Sequence, residues 1–306
     1  MLSRIAESLY WIGRYVERAE DTARILDVHF HLLVEDSSTD VSDACRSLLE
    51  AMGVHDGSVT PDGASVAALL THDTAFPSSI VVSVDAAWDN ARGAREAISS
   101  ELWECLNVTR QQVRAWEGVV AAPHAFLGWV KGRTALAAGV VDTTMNRDDG
   151  WRFLVLGRSL ERADMTIRLL SARYGERWGD AGWQVLLRCC SGHEAFLRRS
   201  ASTFDPERAL AFLVADEEFP RSMLAAVREA EHVLSEIEHQ GRHGRGVGDA
   251  RRLLGRAASE LAYATPLELA SSLPDRLASL ELLCSASHDE VARRYFRSAA
   301  AIEWSA

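Results

Sequence analysis

The chain has 306 residues, of which 47% are hydrophobic and 25% are charged, so it can bury a large core and is not disordered. Its formal net charge of −11 argues against nucleic acid and anionic membranes as its main binding partners. The five cysteines are odd in number and lack Cys-x-x-Cys spacing, which disfavours a disulfide framework or a cysteine-based zinc site. Early charged residues interrupt any signal segment, and no later apolar run could cross a membrane, so we expect a cytoplasmic protein.

Periodic apolar residues and helix-capping signals predict an all-α fold, a bundle of about ten helices. The predicted helices cover residues 2–35, 41–53, 63–71, 79–118, 123–145, 149–174, 180–200, 206–214, 220–240, 247–263 and 275–297. Thr265-Pro266-Leu267-Glu268 combines a capping residue, an initiating proline and the glutamate of a capping box. Only residues 80–84 resemble a strand, and this stretch is too short to form a sheet.

The first predicted helix carries two stripes of side chains. One stripe is apolar and runs from Ile5 to Leu33 with alternating spacings of four and three residues, as expected for a face packed in a core. The opposite stripe is polar and consists of Glu7, Tyr10, Arg14, Glu17, Asp21 and Arg24. Such a face is ordinarily solvated, with ion pairs that each contribute roughly 0.2–0.5 kcal/mol.

The chain repeats part of this first helix. Residues 9–26 align without gaps with residues 153–170, and both segments read Gly-Arg-x-x-Glu-Arg-Ala followed by an acidic residue. A solvated face does not require the same charges in the same order, and a glycine inside a helix costs about 1 kcal/mol relative to alanine. The repeat therefore predicts that the two helices lie side by side in close approach, and that their polar residues reflect either a shared site or inherited structure.

Three long segments carry a recognisable pattern. They are ESLYWIGRYVERAEDTARILD from residue 7, DNARGAREAISSELWECLN from residue 89 and GWRFLVLGRSLERADMTIRLL from residue 150. Together they resemble the bacterial alpha-E domain family, and the likeness extends over essentially the whole chain. We therefore expect a single domain over residues 1–306, within which two repeat-related halves, 1–145 and 146–306, are an open alternative.

The resemblance implies an all-helical protein whose gene usually lies beside, or is fused to, genes for a circularly permuted ATP-grasp enzyme and a transglutaminase-like protease. These two proteins are the implied partners, and their company suggests a pathway of peptide synthesis or peptide tagging. The matching motif residues in this chain are Glu7, Trp11, Gly13, Arg14, Glu17, Arg18, Glu20, Arg92, Arg95, Glu96, Glu101, Trp103, Asn107, Trp151, Arg152, Gly157, Arg158, Glu161, Arg162 and Asp164.

The residues alone leave two interpretations of the Arg/Glu pattern open. In one, arginines offer forked donors to an anionic ligand and neighbouring glutamates orient them. In the other, the same side chains form interhelical salt bridges that set the register of the bundle. The candidate ligand-binding residues are Glu7, Arg14, Arg18, Arg92, Arg95, Glu96, Arg158 and Arg162. Glu17 and Glu161 are candidate catalytic residues, because paired carboxylates can act as acid and base.

The sequence predicts no metal site and no cofactor. Dimetal sites in helix bundles add Glu-x-x-His motifs, which are absent at the candidate glutamates, and arginines compete for the same carboxylates. His29 and His31 flank Phe30 and have ligand chemistry, although a surface histidine pair is the more common outcome. Residues 241–248 resemble a phosphate loop, but no predicted strand precedes them.

These features predict an accessory protein of an ATP-grasp-dependent peptide ligation pathway, which binds an anionic peptide or a partner enzyme through its Arg/Glu face. The alternative is an enzyme of the same pathway that uses Glu17 or Glu161 as acid or base in making or cleaving an amide bond. An enzyme requires a concave, partly dry pocket around these residues. A docking protein presents them in an open groove or fills the space with salt bridges.

Overall fold

Helices account for the regular structure throughout the part of the chain described by the computed structural model. The described residues are 1–35, 40–54, 57, 59–119, 122–174, 180–199, 204–240 and 248–296. Within them the chain forms fourteen α-helices and no strand, which confirms the predicted all-α class with more helices than expected. Among these described helices, none combines the length and the apolar character that a membrane crossing requires.

The helices of the first half of the chain surround a long N-terminal helix. They are α1 (Ser3–Glu35), α2 (Val41–Ala51), α3 (Gly63–His72), α4 (Ile80–Gly93), α5 (Ser100–Ala115) and α6 (Pro123–Thr144). A second long helix begins the other half. The helices there are α7 (Asp149–Tyr174), α8 (Asp180–Cys189), α9 (His193–Arg199), α10 (Pro206–Ala215), α11 (Met223–Gln240), α12 (Asp249–Tyr263), α13 (Pro266–Ser271) and α14 (Leu273–Tyr295).

The predicted helix 79–118 is wrong as a single element, because the structure divides it into α4 and α5. Ser99 marks the division: its Oγ accepts a hydrogen bond from the Leu102 N–H at 3.1 Å and caps the first turn of α5. A serine hydroxyl placed in this way gives the backbone an alternative to continuing the preceding helix. Arg95 and Glu96 consequently lie in the connection between the two helices.

The predicted helix 180–200 is likewise divided, into α8 and α9. Ser191 adopts a left-handed conformation with φ of 56°, and the N–H of Gly192 bonds to the Leu187 carbonyl at 2.7 Å, a pattern that ends helices. A Cβ on Gly192 would lie 2.9 Å from the Phe212 ring, so this position has no room for a side chain. Sequence reasoning missed the boundary because serine, rather than glycine, takes the left-handed conformation here.

Two other local predictions have opposite outcomes. The capping box is confirmed: Thr265 Oγ1 accepts from the Glu268 N–H at 3.3 Å, and Glu268 Oε2 accepts from the Thr265 N–H at 2.8 Å. It starts the short helix α13, which the predicted helices had not included. Residues 80–84 form the start of α4 rather than a strand, because Ser79 caps them through the Val82 N–H at 3.2 Å and Ile80, Val81 and Val84 are buried in the core.

The order and packing of the helices in the second half follow those in the first. Helix α1 packs against α4 and α6, and α7 packs against α11 and α14. Helix α5 lies between α4 and α6, as α12 lies between α11 and α14. The two halves also contact each other in equivalent ways, since α2 packs on α7 and α8 packs on α1.

The helix starts at α4 and α11 show the same correspondence in detail. Residues 76–79 read Phe-Pro-Ser-Ser, and residues 219–222 read Phe-Pro-Arg-Ser. Ser222 Oγ accepts from the Ala225 N–H at 3.0 Å, the counterpart of the Ser79 cap. These likenesses support our proposal that one domain contains two repeat-related halves, 1–145 and 146–306.

Candidate functional site

Helices α1 and α7 meet at the two glycines of the repeat. A Cβ on Gly13 would lie 2.0 Å from the Leu154 carbonyl oxygen, and one on Gly157 would lie 2.0 Å from the Tyr10 carbonyl oxygen. Only glycine allows the two backbones to approach this closely. Leu154 and Tyr10 are equivalent positions of the repeat, so the contacts are reciprocal. The predicted pairing of the repeated helices is therefore confirmed, and the polar residues that follow each glycine face the other helix.

Glu161 of α7 accepts hydrogen bonds from two arginines of α1, and its side chain is only 3% exposed. Arg14 donates through Nε, and Arg18 donates from Nε to Oε1 at 2.5 Å and from Nη2 to Oε2 at 3.1 Å. Burial alone would raise the pKa of Glu161, but the two guanidinium groups outweigh burial and hold the pKa below its usual range. Glu161 is therefore a permanently ionised carboxylate near neutral pH.

Tyr10 connects this carboxylate to α14. The Tyr10 ring is fully buried; its hydroxyl accepts from Arg14 Nη1 at 3.1 Å and lies 2.9 Å from His288 Nδ1. Burial raises the pKa of Tyr10 against the opposing effect of Arg14, whereas burial and the charge of Arg14 lower the pKa of His288. Both side chains are thus neutral near pH 7. We call Glu161, Arg14, Arg18, Tyr10 and His288 the Glu161 cluster.

Glu17 occupies the equivalent position on α1 and is also 3% exposed. Arg162 donates from Nε to Oε1 at 2.7 Å and from Nη2 to Oε2 at 2.9 Å, the same forked contact that Arg18 makes with Glu161. Arg221, which precedes α11, lies 3.0 Å from Glu17 and 2.6 Å from both Glu20 and Asp21. We call Glu17, Glu20, Asp21, Arg162 and Arg221 the Glu17 cluster.

Asp21 is the least satisfied carboxyl group of the Glu17 cluster. It is buried, its Oδ1 accepts from Arg221, and its Oδ2 has no hydrogen-bond partner among the described residues. Burial raises the pKa of Asp21 to about 8; Arg221 opposes the rise, and the nearby Glu17 adds to it. For Glu17 itself, Arg221 and Arg162 outweigh burial and lower the pKa. The Glu17 cluster therefore holds a neutral acid beside a carboxylate at neutral pH.

Arg158, the repeat partner of Arg14, forms no direct contact with Glu17 among the described ion pairs. Its Nη1 lies 4.0 Å from Asp142 Oδ2, and its buried Nε has no hydrogen-bond acceptor in the described part of the chain. The Arg158 charge still contributes to lowering the pKa of Glu17. Arg158 is therefore close enough to Glu17 to stabilise its charge but has unused donor capacity.

Besides Arg158, four predicted ligand-binding residues lie outside the two clusters: Glu7, Arg92, Arg95 and Glu96. Glu7 is half-buried on α1, while the other three are exposed. The guanidinium of Arg92 lies 5.2 Å from the centre of the Trp88 ring, and that of Arg95 lies 5.7 Å from the centre of the Trp103 ring. These arginines belong to a surface formed by α4, α5 and their connection, rather than to the buried Arg/Glu pairs.

Sequence reasoning did not assign Asp21, Arg221 or His288 to the centre. Asp21 was visible within the polar stripe of α1, and the recurrence of Phe-Pro-x-Ser before α11 could have pointed to Arg221. His288 had no comparable signal, because only the packing of α14 on α1 brings it to Tyr10.

The two histidines that flank Phe30 have different environments. His29 is buried, with its Nε2 lying 3.5 Å from Cys45 Sγ, whereas His31 is exposed and lies beside His124 of α6. They therefore do not act as a pair. The absence of a metal, which the sequence predicts for the whole chain, stays a prediction.

An all-α domain organised around a duplicated Gly-Arg-x-x-Glu-Arg helix is the class that the fold and the site define. The chain belongs to the Alpha-E family, described as a predicted alpha-helical domain with a conserved ER motif, and matches it over residues 1–296. It is 28% identical over 252 residues to uncharacterized proteins of Mycobacterium bovis and Mycobacterium tuberculosis. The match covers 72% of this chain and 28% of each relative, so the chain spans less than a third of their length. No solved structure matches the chain.

Proposed function

We propose that the chain is an accessory, ligand-binding component of an ATP-grasp-dependent peptide ligation pathway. In this proposal it recognises an anionic peptide or an acidic surface of a partner enzyme through Arg158 and the arginines nearest to it. The partners that the family resemblance implies, a circularly permuted ATP-grasp protein and a transglutaminase-like protease, provide the pathway. The observation that carries the proposal is the incomplete pairing of Arg158.

The contrast between Arg14 and Arg158 supports a binding role for Arg158. Arg14 donates to both Glu161 and Tyr10, whereas the nearest carboxylate oxygen to Arg158 among the described residues is 4.0 Å away, beyond hydrogen-bond distance. A buried N–H without an acceptor costs about 1–3 kcal/mol. A carboxylate or phosphate that accepts from Arg158 offsets this cost and can bind in a two-pronged geometry.

The location of Arg158 connects it to the exposed arginines. Its nearest acidic group, Asp142, belongs to the last turns of α6, and Thr144 of the same helix end donates to Ser99 Oγ at 2.7 Å. Ser99 closes the α4–α5 connection that carries Arg95. Arg158 and the connection that carries Arg95 are therefore linked through the C-terminal end of α6, where an extended anionic chain can contact both.

Glu17 and Glu161 are better suited to holding arginines than to acid–base catalysis. Both are buried, both accept forked hydrogen bonds from arginine, and both have a lowered pKa. A general acid needs a proton near the working pH, and a general base needs a lone pair that faces the substrate. We therefore favour the docking protein over the enzyme.

The test uses the full chain and the circularly permuted ATP-grasp protein of the same organism. Co-purification followed by mass spectrometry identifies any peptide bound to the chain. Calorimetry then measures how tightly the ATP-grasp protein, or that peptide, binds to the variant Arg158→Lys and to the double variant Arg92→Gln/Arg95→Gln. We expect Arg158→Lys to weaken binding at least tenfold, because lysine keeps the charge but loses the forked donors. The matched control is Arg252→Gln, an exposed arginine of α12, which should change binding less than twofold.

Two results would contradict the proposal in different ways. If the wild-type chain binds neither the ATP-grasp protein nor an anionic peptide, the pathway role is wrong. If the wild type binds and Arg158→Lys binds equally well, the recognition surface is wrong.

A further inference from the structure

Asp27, His31 and His124 bring donor atoms together on the surface between α1 and α6. One donor atom from each side chain lies within 4.8 Å of those of the other two. Asp27 and His31 are four residues apart on α1 and share one face of the helix, while His124 comes from the first turn of α6. Within the described residues, no other group of three His, Cys, Asp or Glu side chains has this geometry.

The donor set selects a class of ion. Two imidazoles and one carboxylate suit Zn²⁺ and its neighbours in the first transition row, whereas Ca²⁺ and Mg²⁺ prefer oxygen alone and Cu(I) prefers sulfur. Metal–ligand bonds of about 2.0 Å in a tetrahedral site correspond to ligand–ligand distances of about 3.3 Å. His31 and His124 are both exposed, so a bound ion can draw their rings in from the present separation of up to 4.8 Å. A three-residue site leaves a fourth position for water or another ligand.

Lys131 holds the carboxylate in a suitable orientation. Its Nζ lies 2.5 Å from Asp27 Oδ2, while Asp27 Oδ1 lies 2.7 Å from His124 Nδ1. Lys131 on the second oxygen thus fixes the carboxylate with its first oxygen toward His124. Lys131 is the only lysine in the chain.

The hydrogen bonds of Asp27 do not account for the position of His31. The contacts of Asp27 with Lys131 and His124 form a salt bridge on their own. The His31 ring nevertheless lies beside that of His124, with centroids 4.0 Å apart and an angle of 69° between the planes. Two exposed imidazoles gain little from this proximity in water, whereas a shared ion between them explains it.

We propose that Asp27, His31 and His124 form a binding site for one divalent transition-metal ion, with Zn²⁺ the ion that fits best. The site joins the first turn of α6 to the C-terminal third of α1. Helix α6 has no side-chain cap, since its N-cap residue is Ala122, so a metal bound to His124 would reinforce the contact with Asp27 that holds this helix start. The inference is independent of the proposed function, because it uses none of the arginines of the binding face.

The experiment titrates the chelator-treated full chain with Zn²⁺ by calorimetry and with Co²⁺ by visible absorption. We expect one ion per chain, a Co²⁺ band of the intensity typical of four- or five-coordinate sites, and a higher melting temperature with Zn²⁺. His31→Gln and His124→Gln should each weaken Zn²⁺ binding at least tenfold and remove the Co²⁺ band. The control variant His239→Gln, an exposed histidine of α11, should bind as the wild type does.

The same measurements can overturn the proposal. It is wrong if the wild type shows no Co²⁺ band, if His31→Gln binds Zn²⁺ as tightly as the wild type, or if Mg²⁺ binds as well as Zn²⁺. Melting of each metal-free variant at the wild-type temperature shows that a loss of binding does not come from misfolding.

Discussion

The Glu161 cluster and the Glu17 cluster begin from the same sequence and differ in their chemistry. In both, a buried glutamate of one helix accepts a forked contact from the arginine that follows the equivalent glutamate on the other helix. Around Glu161 the additional groups are a second arginine and a neutral tyrosine. Around Glu17 the additional group is Arg221, which is shared with two more acidic side chains. A repeated motif can thus set a helix crossing while residues outside the motif decide its electrostatics.

The difference between the clusters arises at positions where the halves no longer match. The pairs are Tyr10 against Leu154, Asp21 against Met165, and Arg221 against Ser78. Each substitution replaces a polar group of one half by an apolar or uncharged residue in the other. The buried glutamates of the shared motif are therefore suited to structure, while the unshared residues decide how the arginines of the motif are paired.

The largest effect is expected from adding one methyl group at the crossing shared by both clusters. Gly157→Ala places a Cβ 2.0 Å from the Tyr10 carbonyl oxygen, which neither backbone can accommodate without separating the helices. We expect a loss of more than about 4 kcal/mol in the free energy of unfolding, measured by urea denaturation. Gly128→Ala is the control, because Gly128 is an exposed glycine of α6 with open space around it, and it should stabilise the chain by about 0.5–1 kcal/mol. Equal stability of the two variants would refute the close crossing.

The next largest effect should separate the two glutamates. Glu161→Gln leaves Arg14 and Arg18 without their carboxylate and should cost about 3 kcal/mol of unfolding free energy. Glu17→Gln should cost less, because Arg221 keeps its contacts with Glu20 and Asp21. Chemical denaturation at pH 7 measures both values. A larger loss of unfolding free energy for Glu17→Gln than for Glu161→Gln would contradict the view that Glu20 and Asp21 keep Arg221 paired when Glu17 is neutralised.

The contributions of Asp21 and Glu161 to the stability of the fold should change with pH in opposite directions. Asp21 has a folded-state pKa of about 8, well above that of an unfolded aspartate, so the folded chain retains a proton that the unfolded chain has released. Stability from this group is therefore lost as the pH rises toward 8. The variant Asp21→Asn should not show this loss. The difference in unfolding free energy, variant minus wild type, should therefore increase by at least about 1 kcal/mol from pH 5.5 to pH 8.5.

Glu161 provides the control for this pH series. Its pKa is lowered in the folded chain, so its contribution is present above the unfolded-state pKa and is lost on acidification. Glu161→Gln should leave the slope between pH 5.5 and pH 8.5 unchanged. Parallel curves for Asp21→Asn and wild type across that range would show that Asp21 is ionised when folded.

The smallest effect on the free energy of unfolding is expected at Arg158, the motif arginine that belongs to neither cluster. Arg158→Lys should change the free energy of unfolding by less than about 0.5 kcal/mol, because it removes no direct hydrogen bond. Arg14→Lys is the matched variant and should destabilise the chain by more than about 1 kcal/mol, since it loses contacts to Glu161 and Tyr10. Thermal melting compares the two. Similar losses at both positions would mean that Arg158 is a structural partner like Arg14.

Local signals in the sequence were sufficient for much of the fold. Apolar periodicity predicted most helices, and the capping box at Thr265 indicated a helix start, although the predicted helices left out α13 itself. The repeated glycine predicted a close helix approach. The division at Ser191 could not be predicted in the same way, because a serine in a left-handed conformation depends on the packing of Gly192 against Phe212.

The sequence by itself determined the class of the fold and the motif residues at the contact between α1 and α7. Periodicity, caps and the Gly-Arg-x-x-Glu-Arg repeat are local patterns or patterns that the chain repeats. Tertiary structure alone decided which arginine is paired and which is not. Arg14 and Arg158 stand at equivalent positions of one motif, yet only Arg14 meets a carboxylate at bonding distance. The tertiary structure also placed His124 of α6 beside His31 of α1, which is far from it in the sequence. Pairing and burial depend on what distant helices place beside a side chain, and a linear pattern does not contain that information.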